Sequence, residues 1–141
     1  MIRIVGALVA ISLLGCGLEQ PEANYGSFES AKSSGAIEAG WIPEWLPESS
    51  KNIMEAHDVD TNEQHLSFKF APNELWVPPP SCGPIQPFSA PMPRLQKPWW
   101  PSDTLRGKNE LGTGLSFFKC HNLYLAIHIE QGYGFIWRTA S

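Results

Sequence analysis

Ten of the thirteen prolines fall between Pro72 and Pro101. Proline has no amide donor and a fixed φ, so such a stretch can neither continue a helix nor sit inside a sheet. The spacing predicts a long proline-rich loop over about 71–101, partly polyproline-like, inserted into a framework made by the flanking sequence. An irregular segment of roughly thirty residues is uncommon in a small domain and needs a fastener. Cys82 lies inside it.

The flanks read as an α+β domain. Downstream, LSFFKC, LYLAIHIE and GFIWRT are three β-rich runs, with turn signals at His121-Asn122 and Gln131-Gly132. In the middle run Leu123, Leu125, Ile127 and Ile129 alternate with Tyr124, Ala126, His128 and Glu130. A three-stranded antiparallel meander follows. Upstream, HLSFKF sets Leu66, Phe68 and Phe70 against His65, Ser67 and Lys69, a half-buried strand placed alongside the meander. Before it, Ser49 or Ser50 is positioned to cap a short N-terminal helix running to about His57, with Ile53 and Met54 facing the sheet. A second short helix is expected at Pro101 to Leu105, capped by Ser102 or Asp103. GWIPEWLPESS, held extended by Pro43 and Pro47, opens the domain, which spans residues 41–141.

At the other end, Arg3 is the one charged residue before Cys16, and Ile4 to Leu14 is apolar or small. A membrane-crossing helix needs roughly 20 apolar residues. This run is shorter and has the form of a secretory signal. Leu13-Leu14-Gly15-Cys16 resembles the lipobox of bacterial lipoproteins. The resemblance implies cleavage of residues 1–15, lipidation of Cys16 by diacylglycerol and an acyl chain such as palmitate, and membrane anchoring through that lipid. Gly17 in place of an aspartate implies, within that family, an outer-membrane location facing the periplasm. Several acyl chains make a stable anchor where one is marginal. Residues 16–40, rich in Gly, Ser, Ala and Glu, read as the lipidated N-terminus and a flexible tether; a local helix over Glu29 to Ala39 is the alternative.

Exported chains meet an oxidising compartment. With Cys16 committed to lipid, Cys82 and Cys120 form an even pair, the arithmetic for a disulfide. No Cys-x-x-Cys redox motif is present. Ten basic side chains face fourteen acidic ones, a formal charge of −4. Such a chain gains no counterion-release drive toward nucleic acid, which excludes that class of partner.

Chemistry is harder to find. In HDVDTNEQH, Asp58, Asp60 and Asn62 imitate the first three ligands of a calcium loop. Glu63 and Lys69 occupy the positions that need glycine and a bidentate glutamate, so the pattern reads as turns after a helix. A transition-metal site from His57 and His65 lacks a third ligand unless His121 or His128 supplies one, so no metal or other cofactor is assigned. No nucleophile motif such as Gly-x-Ser-x-Gly occurs, and no catalytic residue is assigned. Pro98-Trp99-Trp100-Pro101 spells the name of a eukaryotic chromatin-reading domain. That domain is basic and builds a barrel after the tetrapeptide, whereas this chain is acidic and close to its end.

The stretches WLPESSKNIMEAHDVDTNEQHLSFKF and FFKCHNLYLAIHIEQGYGFIW resemble small envelope proteins of Gram-negative bacteria. That resemblance implies the architecture and brings no activity. The functional expectation is a lipid-anchored, periplasm-facing module that binds an envelope protein or glycan through Trp76, Trp99 and Trp100, rings fixed among prolines that otherwise plug the core. The alternatives are an immunity or inhibitor lipoprotein against a toxin or lytic enzyme and, third, an envelope hydrolase with His57 or His128 beside a carboxylate.

Overall fold

Seven antiparallel strands form one sheet in the computed structural model, which describes residues 21–141. Arg3, the apolar run and Cys16 lie outside the described residues. The strands are β1 (Glu22–Ser27), β2 (Lys51–His57), β3 (Gln64–Lys69), β4 (Cys82–Ile85), β5 (Ser116–Cys120), β6 (Leu123–His128) and β7 (Tyr133–Arg138). Two short helices, α1 (Phe28–Ser33) and α2 (Ser102–Leu105), complete a sheet-rich α+β fold. The order is β1-β2-β3-β7-β6-β5-β4. Among the described residues no helix is long and apolar enough to cross a membrane.

Alternation along each strand sorts the side chains onto two faces. One row crosses six strands through Glu55, Leu66, Ile136, Leu125, Phe118 and Pro84. Its face packs Ile53, Leu66, Phe68, Leu125, Ile127 and Ile136 under Ala31, Ala36, Ile42 and Leu46. The opposite face carries Phe117, Ala126, Phe135 and Trp137, covered by Ala90, Trp100, Leu105 and Leu115 from the proline-rich segment and its continuation. Each fully buried Leu or Ile contributes about 1.5–3 kcal/mol. The sheet is therefore the middle of three layers, and the prolines form the third.

The meander, the strand at Leu66 and its pairing beside the meander stand where the alternation places them. Three expectations change. The helix from Ser49 or Ser50 to His57 is instead β2, paired on both sides, with Ala23 and Leu66 flanking Glu55. Two ladders of backbone bonds outweigh one local cap, and Ile53 and Met54 consequently point to opposite faces. Residues 22–40, read as tether, contribute β1 and the capped α1, with Ala31 and Ala36 buried. The proline-rich stretch contains β4, a four-residue edge strand that tolerates Pro84 because an edge leaves amides unpaired. Helix α2 occurs where expected, but Pro101 is its N-cap and no side chain caps it.

Candidate functional site

Cys82 and Cys120 face each other across β4 and β5 and are joined as a disulfide. The bridge ties the start of the proline-rich segment to the meander. The segment's middle is held by two carboxylates. Buried Glu63 accepts the amides of Arg94 (2.9 Å) and Leu95 (3.1 Å). Glu22 on β1 accepts from the Trp99 indole at 3.0 Å and pairs with Lys97 at 3.1 Å.

The three expected contact tryptophans do not share one surface. Trp100 is only 6 % exposed and stands among Phe135, Trp137 and His65. Trp99 is half-buried on the same side of the sheet. Trp76 packs on the other side, its indole donating to the Trp45 carbonyl at 3.0 Å. Prolines thus position rings mainly for packing.

The histidines are dispersed too. His65 is fully buried against Trp100, the rings 4.3 Å apart and nearly parallel. Neither ring nitrogen has a hydrogen-bond partner among the described residues. Burial, with Lys97 nearby, lowers its pKa to about 4, so the ring is neutral at pH 7. His57 lies on the opposite face, where Nδ1 meets both Glu55 oxygens at 2.9 and 3.1 Å and Trp41 stacks on the ring at 3.5 Å. Burial pushes the Glu55 carboxyl up to about 8 against the lowering pull of Arg138, and burial also lowers His57. The contact is thus a hydrogen bond between neutral partners at pH 7, not an ion pair. Gln64, opposite His57, donates to the Trp41 carbonyl. The cluster fastens the Trp41 segment to the sheet, and Trp41 lies over the imidazole where a substrate would have to approach. His128 is buried, its Nδ1 accepting the Gln131 amide at 3.3 Å. His121 turns the chain between β5 and β6 at φ 55°. Asp58 accepts the amides of Asp60 (2.9 Å) and Thr61 (3.1 Å), an Asx turn in place of a calcium loop. Among the described residues no group of three His, Cys, Asp or Glu lies together as a metal site.

One concave feature with an apolar lining lies elsewhere. The proline-rich cover extends over His65 and Trp137 but stops short of the other end of the same face. There Met54 on β2, Ser67 and Lys69 on β3, and Tyr133 and Phe135 on β7 line an open groove of about 510 Å³. Register makes it a small grid, with Met54 opposite Ser67, Ser67 opposite Phe135, and Lys69 opposite Tyr133. The Trp100 ring stands 5.9 Å from Phe135 on the covered part of the same face. Gln131 and Gly132 close the other end. Gly132 has φ +68° and lies against the Phe70 carbonyl and Pro72, a place only glycine can occupy.

A β-bulge between Lys51 and Met54, with Asn52 at φ 49°, brings Lys51 directly opposite Lys69. Bulges re-aim side chains in this way beside binding sites. None of these groove residues was singled out by the sequence as a site. The signal in the sequence is the alternating LSFK run itself, whose polar face reads as solvent-facing.

No curated protein and no solved structure matches the chain. Residues 19–69, which carry β1, α1, β2 and β3 and so the β2 and β3 part of the groove, match the family model of the YbbD head domain.

Proposed function

We propose that this protein is a lipid-anchored binding module of the bacterial envelope, held by acylated Cys16 at the outer membrane and facing the periplasm. The observation that carries the binding reading is the uncovered end of the sheet, an open groove whose floor sets Ser67 between Met54 and Phe135 and whose rim includes polar Asn52 and Gln131. Concave apolar surfaces with a few placed polar groups are the usual form of ligand sites. The match of residues 19–69 to the YbbD head domain is consistent with a small Gram-negative envelope domain. The Cys82–Cys120 disulfide suits an oxidising compartment. The tryptophans serve this reading as supports, with Trp100 packed in the proline-side core, more than as the contact surface.

Replacing Cys16 by serine tests the anchor. The unmodified chain should sediment with membranes and carry the mass of its acyl groups, while Cys16→Ser should lose both. A Cys16→Ser product that still sediments without added mass would overturn the address.

A further inference from the structure

Lys51 and Lys69 stand as direct cross-strand partners, both exposed. Like charges in that position destabilise a sheet. Neither has a carboxylate partner among the described residues, although the chain has fourteen acidic side chains to ten basic ones. The groove that Lys69 lines contains no acidic residue. An acidic protein has here reserved a cationic pair beside an apolar floor, and a backbone bulge is spent on aligning it.

The dimensions restrict what fits. Across β2, β3 and β7 the floor spans two strand spacings, about 10 Å, and along β3 from Ser67 to Lys69 about 7 Å. An acyl chain that fills one leaflet is roughly 15 Å long, longer than either dimension of this floor. A single six-membered ring fits. Phe135 and Tyr133 offer half-exposed aromatic surface for the C–H face of such a ring, and Asn52, Ser67 and Gln131 offer donors and acceptors around its edge.

We propose that the groove over Met54, Ser67 and Phe135 binds an acidic sugar unit of a glycan, its carboxylate set between Lys51 and Lys69 and one ring face on Phe135. This rests on the binding-module reading and names its ligand class.

The test uses the full chain in vesicles of neutral phosphatidylcholine, titrated calorimetrically with glucuronate, glucose, palmitate and an N-acetylated phenylalanine carboxylate. Glucuronate should bind at least about tenfold more tightly than glucose, as loss of one charge-assisted contact implies. Lys69→Gln should weaken glucuronate about tenfold, Lys69→Arg should restore most of it, and Lys119→Gln, remote from the groove, should change nothing. Because Lys69 is exposed, its variants keep the fold, which far-UV circular dichroism checks. Equal binding of glucose and glucuronate, or insensitivity to Lys69→Gln, overturns the carboxylate assignment. Preference for palmitate or the amino-acid carboxylate, lost in Lys69→Gln, overturns the sugar while leaving a binding groove. Binding of none of the four overturns the inference, and the wider reading then falls only if envelope glycans and proteins also fail to protect Lys69 from acetylation.

Discussion

His65 shows what one residue costs and gives. Its ring fills space against Trp100 with both nitrogens unpartnered and no exposure. With the folded pKa lowered to about 4 from 6.5, the unfolded chain takes up a proton first as pH falls. The stability tied to the neutral ring is therefore complete above pH 6.5 and is lost as pH drops toward 4. A protonated ring would gain attraction to the Trp100 face, but Lys97 and the dry surroundings oppose it. The raised Glu55 acts in the opposite sense, its contribution falling as pH rises from about 4.5 to 8. A variant comparison separates the two. In His65→Leu, stability relative to the parent should rise between pH 7 and pH 4 by on the order of 2 kcal/mol after allowance for screening. Urea midpoints at both pH values read this, whatever constant packing offset the leucine brings. A difference that stays flat with pH would remove the neutral buried imidazole from the account.

Among the elements, the disulfide and β4 make one device. β4 has four residues, one of them Pro84, and meets only β5. A strand so short gains little from pairing, and Cys82 at its first position is locked to Cys120 at the last position of β5. Closing a loop over a sequence separation of 38 contributes roughly 4 kcal/mol in the loop-entropy description. Cys82→Ser with Cys120→Ser should lower stability by up to about that amount. It should also open trypsin cleavage at Arg94 well before cleavage at Arg138, because β7 keeps its β3 and β6 partners. Simultaneous cutting at both would mean the bridge stabilises the whole sheet and not the segment. The sequence made this device readable through the even cysteine pair and the proline cluster, and the meander through strict alternation in LYLAIH. It did not make β1 or β2 readable. KNIMEAH alternates only if Glu55 and His57 count as buried, and nothing local says that Arg138, more than eighty residues away, and Trp41 will receive them. The groove was hidden for a related reason. Lys51 joins Lys69 only through a bulge, and bulges follow from pairing partners that a single strand does not reveal.

At the scale of the molecule, both covers depend on the same strands. Leu66 and Ile136 point to the helical side while His65 and Trp137, their neighbours in sequence, point to the proline side. Neither layer can leave without exposing residues that hold the other. The segment matching the YbbD head domain ends with β3, so its sheet is completed only by β7, from the far end of the chain. A chain wired in this way should unfold as one unit, although its parts look separable in sequence. The tryptophans report on both layers, with Trp41, Trp45 and Trp76 on one side of the sheet and Trp99, Trp100 and Trp137 on the other. With the disulfide intact, urea transitions followed by tryptophan emission and by far-UV circular dichroism should coincide. Ile136→Ala, which empties the centre of the helical side alone, should move both together by about 2–5 kcal/mol, as large-to-small core changes do. If the emission curve instead divides into two steps, and Ile136→Ala shifts only the first, the layers fold independently and the sheet is a shared scaffold for two separable covers. Coincidence has a consequence for function. A groove whose floor spans β2, β3 and β7 is then present whenever the protein is folded, and its ligand meets a site already formed.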